Sequence, residues 1–295
     1  MKRAKKPVVK ARSTWGKRVF QVLLALVLLP IIWVLLYRFL PIPGTYLMAL
    51  RAIEGHDTRR NTVSLDKISP HLIRSVIASE DAKFCIHDGF DWRAMEGAMK
   101  SNERGRRLRG GSTISQQTAK NVFLWPGRSY VRKAFEAGFT VLIETTWPKK
   151  RIMEAYLNVA EFGPGIFGAE AGALTHFRKQ AKDLTPLEAA RLAAILPNPR
   201  SWSAAAPSAR VARRSRGIVR GARIVRDSGL DACIYSRGAN GNKKPLMICL
   251  FGSQTRLIGW HPQTSHCRPN SWRASGHGIV QPTGSTQSTI RAAYP

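Results

Sequence analysis

The sequence predicts a mainly α-helical domain that follows a single N-terminal transmembrane helix. Between Arg18 and Arg38 lies a run of nineteen residues without a charge. As a helix this run spans about 28 Å, which is enough to cross a bilayer. Helix starts are signalled further along, where Ser69 precedes a proline and Thr185 opens a capping box that ends at Glu188. No run of alternating strand residues competes with these signals.

The formal net charge of +29 is concentrated at the two ends of the chain. Residues 1–18 hold eight Lys or Arg and no acid, and the chain from Arg200 onward holds fifteen basic residues against two aspartates. The basic block before the apolar run predicts a cytoplasmic N-terminus, with everything after residue 40 on the outer face. A cleaved signal peptide is the alternative. The run is long for a signal peptide and no small-residue cleavage site follows it closely, so we expect an uncleaved anchor.

These features divide the chain into four segments. They are a basic cytoplasmic tail at 1–18, a transmembrane anchor at 19–40, a helical domain at 44–228 and an atypical basic tail at 229–295. Residues 232–295 contain no Asp or Glu and follow no helical or strand period, which predicts disorder. A reading-frame change near the end of the gene is a second explanation of this composition.

The four cysteines show neither a CxxC pair nor the Cys/His spacing of a zinc site. Three of them fall in the last 63 residues. The sequence therefore predicts no structural metal and no disulfide framework for the main domain.

Five helices are predicted within the central domain. They run from Pro70 to Glu80, from Thr113 to Phe123, from after Ser129 toward Trp147, from Lys149 to Asn158, and from Pro186 to Leu196.

Two adjacent acids, Glu80 and Asp81, end the apolar face of the first of these helices. A carboxylate at the edge of an apolar surface is partly desolvated, which raises its pKa toward the range where it takes a proton from a substrate hydroxyl. The alternative is a structural salt bridge to Lys83 or to the basic loop at 104–109.

The second predicted helix begins with a glycine-rich turn. Gly110 and Gly111 let the backbone turn closely, and Ser112 and Thr113 are suited to cap the helix that follows. A helix N-terminus presents unpaired N–H groups to an anion, and Lys120 falls two turns along. An ordinary helix start is the alternative; the basic loop before it and the lysine after it favour phosphate recognition.

A third cluster lies near the start of the next helix, where Arg132 and Glu136 are one turn apart. An i,i+4 ion pair on a solvated helix face is the ordinary interpretation. The alternative is a second acid beside two phosphate-binding bases, Arg132 and Lys133.

These three stretches, followed by residues 150–158 and 187–197, closely resemble in order the five motifs of the peptidoglycan glycosyltransferases. This is glycosyltransferase family 51, which includes the N-terminal domain of bifunctional penicillin-binding proteins. The resemblance covers residues from about 43 to about 226. It implies a lysozyme-like, two-lobed helical fold with a membrane-dipping jaw around 123–130. It also implies an enzyme of the bacterial cytoplasmic (inner) membrane that polymerises lipid II into glycan strands.

The resemblance also implies residue roles. Glu80 matches the general base that deprotonates the 4-hydroxyl of the acceptor lipid II. The implied reaction inverts the configuration at the donor anomeric carbon and releases undecaprenyl pyrophosphate. Glu136 matches the second acid. Substrate and pyrophosphate binding falls to Ser112, Thr113, Gln116, Gln117, Lys120, Asn121, Arg132 and Lys133. Supporting positions are Asp81, Phe84, His87, Gly110 and Gly111.

The resemblance implies no required cofactor, with Mg²⁺ or Mn²⁺ as a stimulant. The implied partners are lipid II, the nascent glycan strand, the membrane, and cell-wall synthesis or division proteins, but no nucleic acid. No transpeptidase is expected, since the chain after residue 200 has neither the room nor a Lys-Thr-Gly triplet.

Two other functions are weighed against this one. A lysozyme-like glycosidase that cuts the same polymer would also use a glutamate in a helical groove, but it has no need of a phosphate-suited cluster or an anchor. A non-enzymatic, membrane-tethered protein would account for the charge of +29 but leaves Glu80 and Glu136 without a role.

Overall fold

A computed structural model describes residues 14–103, 111–127 and 129–235. These residues form ten α-helices and three short strands. In chain order the elements are α1 Thr14–Phe39, α2 Tyr46–Ile53, β1 Arg59–Arg60, α3 Pro70–Glu80, α4 Trp92–Glu103, α5 Ile114–Phe123, α6 Tyr130–Thr146, α7 Lys149–Val159, β2 Glu161–Gly163, β3 Ile166–Phe167, α8 Ala169–Phe177, α9 Pro186–Ile195 and α10 Ala209–Asp227. The predicted mainly α-helical fold is confirmed.

All five helices predicted from the sequence are present, as α3, α5, α6, α7 and α9. The first turns of α3 and α9 use the side chains that the sequence offered as caps. The Ser69 hydroxyl accepts from the backbone of His71, and Thr185 and Glu188 form a reciprocal capping box. Local capping chemistry therefore sets where these two helices begin.

The core lies between two groups of helices. α10 packs on α3 and α9, while α5 packs on α6 and α7. The predicted apolar face of α3 is fully enclosed, since Leu72, Ile73, Val76 and Ile77 are all inaccessible to solvent. This face orients α3 so that its last residue, Glu80, lies where the two groups of helices meet around the candidate site.

A small sheet lies outside the helical core. β3 pairs in parallel with β1 and antiparallel with β2. Strands of two or three residues are too short to show an alternating pattern, which is why the sequence did not reveal them.

The N-terminal helix α1 contains an 18-residue apolar window with a mean hydropathy of 2.8 and is long enough to cross a membrane. Its C-terminal end packs on the domain. The Trp147 indole N–H donates to the carbonyl of Val34 at 2.9 Å, and the Trp33 ring meets Phe123 edge-on. The candidate anchor is therefore joined directly to the domain that follows it.

Residues 229–235, which the sequence analysis assigned to the tail, instead pack on the domain. Asp231 is 1% exposed and pairs with Arg74 at 2.7 Å, and Cys233 forms a disulfide with Cys85. The sequence predicted no disulfide framework for the main domain, and this bond instead joins the domain to residues that were assigned to the tail. The two cysteines are 148 positions apart, so only tertiary packing brings them together. The rest of the predicted tail, 236–295, and residues 1–13 lie outside the described residues.

Loss of this disulfide has a predictable effect. We expect Cys233→Ser to lower the free energy of unfolding by about 2–4 kcal/mol, because the bond restricts the unfolded chain over a long loop. Urea unfolding followed by tryptophan fluorescence measures it. Cys85→Ser should have the same effect, and the double variant should lose no more than either single one. A larger loss in the double variant would contradict an effect through the bond.

Candidate active site

The carboxylate of Glu80, the last residue of α3, is held at both of its oxygens. The Gln117 amide donates to Oε2 at 3.2 Å, and the Arg214 guanidinium of α10 donates to Oε1 at 3.4 Å. The buried Tyr156 hydroxyl donates in turn to the Gln117 carbonyl at 3.2 Å, which fixes the orientation of that amide. The alternative partner Lys83 instead pairs with Asp91 at 3.2 Å.

Burial dominates the electrostatics of this carboxylate. The side chain of Glu80 is 13% exposed, and desolvation raises its pKa above the ordinary value. The bond from Gln117 and the charges of Arg214 and Lys120 oppose that rise, while the neighbouring charge of Asp81 adds to it. Burial therefore makes this carboxylate more basic, while the nearby cations favour its ionised form.

The second acid of this stretch, Asp81, joins the loop after α3 to the start of α5. Its carboxylate accepts from the Ile114 backbone at 3.0 Å and from His87 Nε2 at 2.9 Å. The other ring nitrogen of His87 accepts from the Gly89 backbone, which assigns the proton to Nε2. The Thr113 hydroxyl donates to the Gly89 carbonyl at 2.6 Å. Asp81 and His87 therefore order the loop beside Glu80, as the resemblance implies.

The prediction that the N-terminus of α5 offers unpaired N–H groups to an anion is not supported. The Ile114 N–H is bonded to Asp81, and Thr113 and Gln116 bond each other's backbone in a capping box. Both capping side chains are buried. Because Asp81 supplies a carboxylate from within the chain, this end of the helix is already occupied.

The third cluster contains the ion pair predicted from the sequence, but not on a solvated helix face. Arg132 and Glu136 do form an i,i+4 ion pair, at 2.9 Å, but their side chains are only 10% and 3% exposed. Lys133 contacts the other oxygen of Glu136. The Nε of Arg132 is buried and has no hydrogen-bond partner among the described residues. Glu136 therefore organises two cations on a surface that is not freely solvated.

Lys120 lies between this cluster and Glu80. Desolvation lowers the pKa of its ammonium; the acids Glu136 and Glu80 oppose the shift, and Arg132 and Lys133 add to it. Lys120 therefore interacts with an acid or a cation from each of the other two stretches, and the fold brings the three separate sequence stretches into one site.

The remaining predicted positions have different environments. Ser112 is exposed, Asn121 is half-buried, and Phe84 is fully buried beneath the loop, with the Lys149 ammonium 4.7 Å from its ring centroid. At Gly111 a side chain would meet the backbone of Met95 at 3.2 Å, so a close approach to α4 favours glycine there. Gly110 lies outside the described residues.

Four residues that contact this machinery were not singled out from the sequence. Tyr156 and Arg214 support Glu80, while Lys149 bridges Glu144 and the carbonyl of His87 at 2.8 and 2.7 Å. Tyr156 lies in the fourth motif-like stretch and Arg214 in the basic helix, but neither position carries a spacing signal that points to Glu80. Tertiary packing alone reveals their partners.

Metal binding stays untested. Within residues 14–103, 111–127 and 129–235, no three His, Cys, Asp or Glu side chains are grouped so that they could hold a metal ion. The expectation of no required metal therefore remains a prediction.

A desolvated carboxylate beside three cationic side chains and a second acid, in a domain joined to an apolar helix, is typical of an enzyme that acts on an anionic substrate. The comparisons with known proteins specify the chemistry. The family model described as Transglycosylase matches residues 47–223.

Relatives match over nearly their whole length. A biosynthetic peptidoglycan transglycosylase of Rhodospirillum centenum is 55% identical over 219 residues, which are 74% of this chain and 95% of the relative. The protein of the same name from Caulobacter vibrioides is 56% identical over 72% of this chain and 92% of its own. That from Pseudomonas syringae pv. syringae is 47% identical over 77% and 97%. The chain therefore belongs to the transglycosylase family and is a peptidoglycan glycosyltransferase.

Proposed function

We propose that the chain polymerises lipid II into glycan strands, with Glu80 as the general base and with undecaprenyl pyrophosphate as the leaving group. The observation that carries this proposal is the convergence of the desolvated Glu80 carboxylate with Lys120, Arg132 and Lys133. One side of the site is suited to remove a proton and the other to receive a multiply charged anion. A reaction with both needs is glycosyl transfer from a lipid pyrophosphate.

Glu80 accepts the proton of the acceptor's 4-hydroxyl as that oxygen forms a bond to the donor's anomeric carbon. The bond from this carbon to the pyrophosphate oxygen breaks at the same time with its electron pair, and the configuration at carbon inverts. The raised pKa of Glu80 supports this role, because a more basic carboxylate takes the proton more readily.

The pyrophosphate gains charge as it leaves, and the cation cluster is suited to stabilise it. Arg132 donates to Glu136 through one terminal nitrogen of its guanidinium, and Lys133 is 44% exposed, so both cations are suited to pair with the pyrophosphate as well. Glu136 holds these two cations in place. A buried carboxylate paired with Arg132 and Lys133 competes with the substrate for these cations unless it serves to orient them. We therefore assign Glu136 an orienting role.

We further propose that α1 is an uncleaved anchor in the bacterial inner membrane, with the domain on the periplasmic side. Eight basic residues within 1–18 favour a cytoplasmic N-terminus. The Cys85–Cys233 disulfide independently supports an oxidising compartment for the domain.

The proposed enzyme requires no cofactor, and Mg²⁺ or Mn²⁺ would stimulate turnover by offsetting the charge of the pyrophosphate. Cell-wall synthesis or division proteins are its protein partners, it has no transpeptidase activity, and it binds no nucleic acid.

Turnover of lipid II by the full chain in detergent tests the proposal, with product length analysed on a gel. Long glycan strands and released undecaprenyl pyrophosphate are the expected products. Shortening of pre-formed strands, with no consumption of lipid II, would instead indicate the lytic lysozyme-like glycosidase.

The contact between Arg214 and Glu80 predicts a change in pH dependence. Arg214 lowers the pKa of Glu80 against the effect of burial, so Arg214→Gln should raise that pKa. Since the base must be ionised, the acidic limb of the pH–activity profile should shift to higher pH while the activity at alkaline pH is largely retained. Arg213→Gln, at an exposed neighbouring position, is the matched control and should leave the profile unchanged. Equal loss at every pH in Arg214→Gln would contradict this explanation.

A further inference from the structure

A line of arginines follows one side of α10, away from the contact with Glu80. Arg216, Arg220 and Arg223 are spaced at i, i+4 and i+7 and are all exposed. Within the described part of the chain, none of the three forms an ion pair with a carboxylate. Like charges at this spacing repel one another, so an anion bound here would relieve an unfavourable arrangement.

Two recesses border these arginines, and both include Arg223, Val219 and Pro186. One has a volume of about 440 Å³ and extends over Arg216 and Arg220 to Leu187 of α9. The other, of about 190 Å³, is lined on one side by His71, Arg74 and Ser75 of α3. We call Arg216, Arg220, Arg223 and these two recesses the arginine groove.

The α3 end of the groove contains a polar atom without a partner. The hydroxyl of Ser75 is buried, lines the smaller recess, and has no hydrogen-bond partner among the described residues. Arg74 and Arg226 line the same recess; the acid Asp231 is paired with Arg74 and Asp227 with Arg226. Burial is the main cause that lowers the pKa of His71 at this recess, and the charges of Arg74 and Arg226 add to it. A ligand oxygen at this position would meet the Ser75 hydroxyl and the guanidinium of Arg223.

The composition of the groove indicates the class of ligand. Guanidinium groups pair with planar carboxylates through two parallel hydrogen bonds. The surface between the arginines is apolar, formed by Pro186, Val219 and a partly exposed Leu187. From Arg216 to Arg223 the helix rises about 10 Å. Spaced charges over an apolar floor suit an extended acidic peptide better than a single small anion.

We propose that the arginine groove binds the acidic peptides carried by the glycan strand that the enzyme builds. This inference rests on the proposed function, since that function supplies the peptide-bearing strand. α10 carries the groove on one side and, on the opposite side, Arg214, which contacts Glu80. A growing strand extends beyond the residues that hold its reacting end, so peptides on sugars already joined can reach the groove around this helix.

An anionic membrane surface is the other ligand class that such a groove could suit, and the packing disfavours it. The apolar helix α1 packs on α6, whereas α10 packs on α3 and α9. The helix that carries the groove is therefore not the one that the anchor holds beside the membrane.

The test compares labelled, uncross-linked glycan strands that retain their peptides with the same strands after amidase has removed them. Binding to the full chain in detergent is measured by fluorescence anisotropy. We expect the triple variant Arg216→Gln, Arg220→Gln, Arg223→Gln to bind intact strands about tenfold more weakly. Stripped strands should bind parent and variant alike. The charge-matched control replaces the exposed Lys67, Lys150 and Lys182 by glutamine and should keep the parent's affinity.

Three outcomes would overturn the inference. They are equal weakening by the control triple, undiminished binding of stripped strands to the parent, and loss of binding to anionic phospholipid vesicles without loss of strand binding. The assay needs no turnover, so it is independent of lipid II consumption by the parent. If the parent fails to polymerise lipid II, the proposed function fails; if it polymerises but the triple variant binds intact strands normally, only the arginine groove fails.

Discussion

Glu80→Gln loses polymerisation of lipid II, with a fall in kcat of about 10²–10⁴-fold, because glutamine cannot accept the proton of the attacking hydroxyl. The substitution preserves the shape of the side chain and an oxygen for the bond from Gln117. Glu96→Gln is the control, since Glu96 is an exposed acid of α4 and its loss should leave activity unchanged. Normal polymerisation by Glu80→Gln would remove the general base from the proposal.

The stability of the same variant separates a catalytic loss from a structural one. Burial raises the pKa of Glu80, so the unfolded chain loses this proton first as the pH rises above the ordinary value of 4.5, and the ionised carboxylate then costs folding free energy. Glutamine removes that cost at neutral pH. We therefore expect Glu80→Gln to be at least as stable as the parent there, with the difference disappearing in acid. A variant that is both inactive and unfolded would leave the role of Glu80 to be tested by the conservative Glu80→Asp.

The sequence revealed the helical framework because its signals are local. The capping residues Ser69 and Thr185 and the apolar face of α3 act within a few positions, and the structure forms helices where they indicate. Contacts between residues far apart in the sequence could not be predicted from it. Neither Arg214 nor Cys233 carries a pattern that names its partner, which is 134 positions away for Arg214 and 148 for Cys233.

The candidate site likewise has features that the sequence predicted and features that it did not. The order of the motif-like stretches indicated which residues converge, but not which donors remain available once they do. At α5 the expected anion site is filled by Asp81, an acid of the protein itself. At α6 the expected solvated ion pair is buried. In both cases burial and competition among side chains, which sequence spacing does not report, decide what is left for substrate.

The buried pair on α6 leads to the second large effect. Glu136→Gln should lower the free energy of unfolding by about 3–5 kcal/mol, because the buried charge of Arg132 loses its partner. Activity should fall as well, since Arg132 and Lys133 lose the carboxylate that orients them. Urea unfolding in detergent measures the first effect and lipid II turnover the second.

The exposed i,i+4 pair Glu96 and Lys100 on α4 provides a matched control, because it has the same spacing in a solvated setting. Glu96→Gln should cost no more than about 0.5 kcal/mol. Adding Arg132→Met to Glu136→Gln should recover much of the lost stability but none of the activity, since it removes the unpaired charge and a proposed pyrophosphate ligand together. Similar small losses for Glu136→Gln and Glu96→Gln would mean that water screens the α6 pair as well. In that event the cations could not act on the leaving group with the strength that a desolvated site gives them.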